Sequence, residues 1–288
     1  MNIVLLGGSG FVGSRIAKIL RNKGHNVTTP NRQELDLLNP NLHNIEKILS
    51  NQQVIINAVG VISRYDEVLD KVHYQTPKLL AEIAVDMNIK HWVQLSALGA
   101  DWQYPAEFLA SKGRGDNAVL HIMPSVNIAR PSVIYGRGGA SCELFIKLAK
   151  LPILPLPEKG DFALQPVCVN EVADGLAKMA ENPLPHGSVV NMTGGEVVSM
   201  AEYLAIMRQN LHHKPPAKVL NIPLSLIKPF LPITKILSNG MLSPDSIQML
   251  QDGNTADNGD FACLLGKTPQ SPEMFIQAGQ IKVSSATL

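Results

Sequence analysis

Residues 4–20 read VLLGGSGFVGSRIAKIL and contain the strongest local pattern in the chain. An apolar run comes first, glycines follow at Gly7, Gly10 and Gly13, and an amphipathic segment ends the stretch. Glycines at this spacing permit a tight turn and a close approach of the backbone to a pyrophosphate, whose charge the free N–H groups of a helix N-terminus stabilise. Because the order is strand, loop and helix, the stretch predicts a turn that binds a dinucleotide.

The first 140 residues alternate between short apolar runs and amphipathic segments. This alternation predicts a parallel sheet covered on both faces, which is a Rossmann-type doubly wound α/β fold. From about Cys142 the rhythm breaks, and a proline-rich loop follows at 150–160. We therefore expect a Rossmann core over residues 1–140 and a smaller substrate or partner lobe over 141–288, with segments at about 160–195 returning to the core.

Composition narrows the class of protein. With 25 basic and 24 acidic side chains the formal net charge is +1, which disfavours a nucleic-acid partner. Cys142, Cys168 and Cys263 lie far apart, so we interpret them as buried apolar residues in a cytoplasmic protein rather than as disulfides. His212 and His213 lack other spaced ligands, so no metal site is expected.

The end of the predicted second strand bears on the choice of cofactor. A protein that prefers NAD commonly has an acid there, which accepts hydrogen bonds from the ribose 2′-hydroxyl. This chain has Asn31 and Arg32 instead, and a guanidinium suits a 2′-phosphate, so NADP(H) is favoured over NAD(H). In the alternative, Arg32 is solvated and Glu34 contacts the ribose.

Several distinct short motifs lie along nearly the whole chain: GGSGFVGS at 7–14, Asp36-Leu37, NAVG at 57–60, LSALGAD at 95–101, SKGRGD at 111–116, ARPSVIYGRGG at 129–139, QPVCVNEVADGL at 165–176, and later NMTGGEVVSMAEYL and LSPDSIQMLQDGN. Together they resemble the short-chain dehydrogenase/reductase superfamily. Within it, they resemble the atypical extended branch that includes the NAD(P)H-binding accessory subunit of respiratory complex I and its bacterial relatives. The resemblance is specific for fold and nucleotide binding and much less so for reaction.

The resemblance also implies roles for particular residues. It puts Ser9, Gly10, Phe11 and Val12 against the pyrophosphate, Asp36 and Leu37 beside the adenine, Ala58, Val59 and Gly60 along the ribose, and Pro131 and Val133 near the nicotinamide. Lys112 would reach the hydroxyls of the nicotinamide ribose. Arg137 and Gln165 would fall at the nicotinamide end of the cleft, where they contact a substrate or brace loops.

Catalytic members of this superfamily combine Ser, Tyr and Lys, and the lysine lowers the pKa of the tyrosine that shuttles the proton. Ser96 matches the serine and Lys112 matches the lysine, but the tyrosine position holds Phe108. Loss of such a general acid or base typically costs about 100- to 10,000-fold in rate. Tyr104 would need an irregular backbone to substitute, because it lies eight residues before Lys112.

Residues 219–237 are mostly apolar, but Pro223, Pro229 and Pro232 would interrupt a spanning helix. The segment is either part of the second lobe or a flap that rests on a membrane surface or a partner.

Three functions fit these observations. The first is an NADP(H)-binding accessory or regulatory protein of a respiratory complex or quinone-pathway assembly, cytoplasmic or peripheral at the inner face of a membrane. The second is an NADPH-dependent reductase, epimerase or isomerase acting on a small molecule. The third is a sensor of the nucleotide ratio.

Overall fold

The structure is a computed structural model that describes residues 1–227, 229 and 243–284. Six strands form the central sheet, and they run in the spatial order β10, β5, β4, β3, β1, β2. Their bounds are β1 Asn2–Leu6, β2 Asn26–Thr28, β3 Val54–Asn57, β4 His91–Leu95, β5 Ser125–Pro131 and β10 Ser188–Met192. The predicted Rossmann-type parallel sheet with helices is thus confirmed.

The helices that connect these strands are α1 Gly13–Asn22, α2 Leu42–Leu49, α3 Asp66–Asp70, α4 Thr76–Asp86, α5 Glu107–Ile122 and α7 Val169–Glu181. One π-helical turn, Lys71–Gln75, joins α3 to α4. The inner strands β1, β3, β4 and β5 are mostly buried, as strands covered on both faces must be, whereas the edge strands β2 and β10 are only partly buried. Trp92 of β4 is fully buried in this core, among residues such as Val4, Ile55 and Ile128.

The chain divides into two compact units. The sheet unit consists of Met1–Pro131 and Asn170–Asn191, and the second unit of Ser132–Val169 and Met192–Leu288. The division thus falls after Pro131, whereas the domain boundary expected from the sequence lies at residue 140 and stays a prediction.

The described residues of the second unit form three small two-stranded sheets, which pair β6 with β9, β7 with β12, and β8 with β11. The strands are β6 Ile134–Tyr135, β7 Ile153–Leu156, β8 Ala163–Leu164, β9 Val167–Cys168, β11 Val198–Ser199 and β12 Lys218–Asn221. Its described helices are α6 Ala140–Leu148, α8 Met200–His212, α9 Leu224–Ile227, α10 Pro244–Gln251, α11 Gly259–Leu265 and α12 Pro272–Ser284. Their apolar faces form a separate core that includes Phe145, Tyr203 and Phe275.

The cysteine interpretation requires one correction. Cys142 and Cys168 are buried, but Cys263 is exposed. Helix α11 buries Phe261 and Leu265, which lie four residues apart on one face, so Cys263 faces solvent.

Part of the predicted flap at 219–237 falls outside the described residues, namely 228 and 230–237. The part that the structure describes contains most of β12 and all of α9. No helix among the described residues is long and apolar enough to cross a membrane.

Candidate nucleotide site

The glycine motif forms a tight turn between β1 and α1. Gly7 adopts a φ of +74°, a conformation that residues with a side chain rarely adopt. The Gly10 N–H donates to the Gly7 carbonyl at 2.9 Å. A Cβ on Gly13 would lie 2.1 Å from the Gly7 carbonyl oxygen. The helix therefore starts directly against the turn, as close backbone approach to a pyrophosphate requires.

The N-terminal end of α1 has the electrostatic character that an anion needs. The first N–H groups of a helix have no intrahelical partner, and no acidic residue occupies the first turn of α1. Ser9 is exposed, Phe11 is half-buried and Val12 is buried. The Arg15 guanidinium stacks 4.9 Å from the centre of the Phe11 ring and donates to the Phe11 carbonyl. Arg15 thus adds a cation beside the turn.

The loop after β3 lies against the glycine turn. A Cβ on Gly7 would be 3.0 Å from the Ala58 carbonyl and 3.1 Å from the Val59 nitrogen. The Val59 N–H donates to the Asn57 side chain, and a Cβ on Gly60 would lie 3.5 Å from the Lys112 Nζ. β1 and β3 flank the point where the strand order reverses, which is where open α/β sheets bind ligands.

Beyond β2, Arg32 projects into solvent. Its side chain is 80% exposed, and its Nε lies 3.9 Å from Oδ1 of Asp36. The Glu34 carboxylate accepts from the Asn31 N–H at 2.8 Å, while Oδ1 of Asn31 accepts from the Glu34 N–H at 3.1 Å. Glu34 thus serves as a turn cap, whereas Arg32 remains accessible to a phosphate.

Asp36 and Leu37, the residues predicted beside the adenine, continue this loop. Asp36 accepts from the Leu38 N–H at 3.0 Å. The Leu37 carbonyl accepts from the Thr76 hydroxyl at 2.7 Å, which attaches the loop to the start of α4.

Lys112 lies in α5 and is almost fully buried. Its Nζ donates to the carbonyls of Leu95 at 3.1 Å and Val59 at 3.4 Å, so it joins the ends of β4 and β3. Burial lowers the pKa of Lys112 to about 8, and Asp116 opposes the shift. An ammonium needs only its charge and hydrogen bonds to act as a ribose ligand.

One turn further along α5, Asp116 organises a buried polar cluster. Its Oδ2 accepts from the Ser96 hydroxyl at 2.7 Å and from Nη2 of Arg130 at 3.1 Å. Its Oδ1 has no hydrogen-bond partner among the described residues. Burial raises the pKa of Asp116, while Ser96, Arg130 and Lys112 counteract the rise. The hydroxyl of Ser96, the predicted catalytic serine, thus donates to a carboxylate of the protein itself.

Phe108, at the tyrosine position, packs edge-on against His73 with ring centres 5.7 Å apart. Nε2 of His73 accepts from the Val61 N–H at 3.2 Å, so Nδ1 carries the proton and donates to the Ser111 hydroxyl at 2.9 Å. Burial and the nearby Lys112 hold the pKa of His73 well below its usual value. His73 is therefore a neutral structural residue here, not a proton donor replacing the missing phenol.

The two glycines in SKGRGD have a packing role. A Cβ on Gly113 would lie 2.4 Å from Asp101 and Trp102 backbone atoms, and one on Gly115 would lie 2.0 Å from the His73 carbonyl oxygen. α5 thus approaches both the loop after β4 and the π-helical turn closely. Tyr104 lies in that loop and is half-buried, and its N–H donates to the Asp101 carbonyl at 3.0 Å.

Of the residues predicted near the nicotinamide, Pro131 ends β5 in the sheet unit, where its carbonyl accepts from the Leu98 N–H at 2.9 Å. Val133 belongs to the second unit, and its N–H donates to Oδ1 of Asn254 at 2.7 Å. Arg137, also in the second unit, is exposed.

Gln165 braces loops within the second unit. Its Nε2 donates to the Gly194 carbonyl at 2.9 Å, and its Oε1 accepts from the Ala256 N–H at 3.0 Å. Because both ends of the amide are bonded to backbone, the bracing role is the one its geometry supports.

Sequence reasoning assigned no contact to four polar residues of this region: Arg15, His73, Asp116 and Arg130. Asp116 had a usable signal, because it lies four residues after Lys112 on the same helix face. Arg130 and His73 had none, since their partners are distant in sequence. No group of three or more His, Cys, Asp or Glu side chains is placed to hold a metal ion in the part of the chain that the structure describes.

Comparison with known proteins identifies relatives in several organisms. NADH dehydrogenase (ubiquinone) 1 alpha subcomplex subunit 9 of Dictyostelium discoideum is 24% identical over 241 residues, which cover 77% of this chain and 66% of the relative. The corresponding Rattus norvegicus protein is 25% identical over 66% of this chain and 56% of its own length. The chain thus spans less than two thirds of these relatives.

Solved structures share the fold. A nucleoside-diphosphate-sugar epimerase of Staphylococcus aureus superposes with a TM-score of 0.75 at 16% identity, covering 96% of this chain and 100% of that one. A dTDP-4-dehydrorhamnose reductase of Bacillus anthracis in complex with NADP superposes with a TM-score of 0.72 at 15% identity. The superposition covers 98% of this chain and 99% of that one.

A sequence model of the NAD dependent epimerase/dehydratase family matches residues 3–192, which include the glycine turn, Lys112 and all six strands of the central sheet except the start of β1. Members of this family bind a nicotinamide dinucleotide. The chain therefore belongs to the NAD dependent epimerase/dehydratase family, within the extended short-chain dehydrogenase/reductases.

Proposed function

We propose that this protein binds NADP(H), has weak or no dehydrogenase activity, and serves as an accessory or regulatory component of a respiratory complex or of quinone metabolism. The observation that carries the proposal is Phe108, four residues before Lys112 in α5. A phenyl ring neither donates nor accepts the proton that accompanies hydride transfer. The neighbouring His73 is buried and neutral, so it does not replace the phenol.

Two further contacts support low turnover. The Ser96 hydroxyl donates to Asp116, which makes it part of a buried cluster. Lys112 donates to the carbonyls at the ends of β3 and β4. Both residues thus have structural partners that account for their presence in a protein without dehydrogenase activity.

The preference for NADP(H) rests on Arg32. Its guanidinium is exposed and only loosely paired with Asp36 at 3.9 Å, so it can turn towards a 2′-phosphate at little cost. Glu34, the acid that would otherwise bind a ribose hydroxyl, caps the turn at Asn31. When bound, the nicotinamide ring would supply hydride chemistry, while the residues of this chain position it.

The accessory role is supported by the relatives named as subunits of an NADH dehydrogenase (ubiquinone). We place the protein in the cytoplasm, peripheral at the inner face of a membrane. Its partner would be a respiratory or quinone-pathway protein.

An NADPH-dependent reductase, epimerase or isomerase is the second candidate. One feature favours it: Lys112 is buried with its Nζ at the end of β4, 3.1 Å from the Leu95 carbonyl, and this burial lowers the pKa of Lys112 to about 8. In that case Lys112 itself would take part in proton transfer.

Turnover separates the two candidates. The purified protein should bind NADPH but oxidise it very slowly with a panel of carbonyl and nucleotide-sugar substrates. Phe108→Tyr is a secondary probe, because added activity would show that the rest of the site is still arranged for hydride transfer. Rapid substrate-dependent oxidation by the wild-type protein would reject the accessory role. Its loss in Lys112→Met at saturating NADPH, where binding is complete, would assign the chemistry to that lysine.

A further inference from the structure

The small sheet formed by β7 and β12 has one buried face and one exposed face. Its strands are parallel, and Ile153 pairs with Lys218 while Pro155 pairs with Leu220. Paired residues in neighbouring strands lie on the same side of a sheet, and alternate residues point to opposite sides. The outer face therefore carries these four residues.

The inner face of this sheet belongs to the core of the second unit. Leu154 is 2% exposed and Leu156 is 4% exposed, and Val219 packs against the same core. By contrast, Ile153 is 48% exposed and Leu220 is 43% exposed. The exposed apolar side chains are thus not needed to complete the core.

The neighbouring chain extends this apolar character. Leu151, just before β7, is 41% exposed, and Leu226 of α9, just after β12, is 63% exposed. Exposed prolines at 152, 155, 215, 216 and 223 lie in the same two stretches, 147–161 and 213–227. Large exposed apolar side chains grouped in this way mark an interaction surface.

These two stretches are also basic. They contain five lysines, at 147, 150, 159, 214 and 218, against two carboxylates, Glu158 and Asp161. All five lysines are exposed. The whole chain has a formal net charge of only +1, so the positive charge is concentrated here.

We propose that the outer face of the β7–β12 sheet, with its flanking lysines, binds the surface of an anionic lipid bilayer. Apolar side chains interleaved with lysines suit such a surface, since the former enter the interface and the latter contact lipid phosphates. A second copy of this chain fits poorly, because a symmetric dimer through this face would place one net-positive patch against another. The inference rests on the proposed placement at a membrane, but it is independent of nucleotide binding and of turnover.

Vesicle flotation tests this proposal with the full-length protein. The wild-type protein should float with vesicles of phosphatidylcholine mixed with phosphatidylglycerol, and much less with phosphatidylcholine alone. Lys150→Gln with Lys218→Gln should weaken the binding about thirtyfold, or about fivefold for each lysine, and reduce its salt dependence. Ile153→Thr with Leu220→Thr should weaken it on the order of tenfold, since threonine retains the strand propensity.

Matched substitutions in the sheet unit provide the control. Val189→Thr changes a 37%-exposed strand residue, and Lys90→Gln removes an exposed lysine. Both should float like the wild-type protein, and every variant should keep the wild-type circular dichroism spectrum and urea unfolding midpoint as a check of folding. Binding of the wild-type protein to neither vesicle would overturn the proposal, and so would equal binding of all variants. If the protein instead forms dimers whose fraction rises with concentration, and if the face variants abolish these dimers, then the face binds a second copy of this chain.

Discussion

Asp116→Asn is the substitution that best tests how the polar cluster works. Asp116 has no exposed surface, and its Oδ2 accepts hydrogen bonds from Ser96 and Arg130. Asparagine has nearly the same shape, so the substitution removes the charge and adds little steric change. Its carbonyl oxygen can still accept from Ser96, but its amide group cannot neutralise Arg130.

The expected loss of stability follows from burial. Removing one partner of a buried ion pair typically costs about 3–5 kcal/mol. Two features reduce that figure here: the Arg130 side chain is 26% exposed, so water solvates part of its charge, and burial already raises the pKa of Asp116. We therefore expect the free energy of unfolding to fall by about 2–3 kcal/mol.

The substitution should also act on Lys112. Asp116 raises the pKa of Lys112 against the larger lowering caused by burial, so its removal takes that pKa below about 8. The lysine then loses its charge at lower pH. Because Lys112 is the predicted ligand of the nicotinamide ribose, NADPH affinity should decline at a lower pH in the variant than in the wild-type protein.

Urea unfolding and NADPH titration across a pH series would measure both effects. Asp174→Asn is the matched control, since Asp174 pairs with Lys178 at 3.2 Å on the surface and such pairs contribute about 0–1 kcal/mol. The reasoning is wrong if Asp116→Asn and Asp174→Asn lose the same stability, or if the pH profile of NADPH binding does not move.

Four other predictions follow from single residues. Arg32→Ala should weaken NADPH binding by about 1.5–3 kcal/mol and leave NADH binding unchanged, as titration with both nucleotides would show. Burial lowers the pKa of His91 below 6.5, so the unfolded chain binds the proton first and stability is lost as pH falls below that value. Unfolding midpoints of His91→Gln should therefore depend less on pH in this range. Gly115→Ala places a Cβ within 2.0 Å of a carbonyl oxygen and should lower the melting temperature by several degrees, whereas Gly259→Ala, where the nearest atom is an exposed carboxylate, should change it little. Arg208 is 6% exposed and donates to four backbone carbonyls, so Arg208→Lys should lower the unfolding free energy by about 2–4 kcal/mol, measured in urea.

The sequence by itself determined those features that depend on neighbours along the chain. The glycine turn was predictable because backbone conformation and helix initiation are set within a few residues, and the strand and helix alternation because hydrophobic periodicity is local. The absence of a phenol before Lys112 was likewise readable, since position in one helix follows directly from spacing.

Only the tertiary structure decided what the polar side chains contact. Ser96 and Asp116 are twenty residues apart, and Gln165 and Ala256 are ninety-one apart, so no local pattern signals either bond. The glycines at 113 and 115 resembled part of a functional motif, yet they are required by the close approach of α5 to segments that start near 73 and 101. The division of β7 and β12 into a buried and an exposed face also arises only when the two strands pair. In each case the deciding energy comes from burial and packing between distant segments, which a linear sequence does not record.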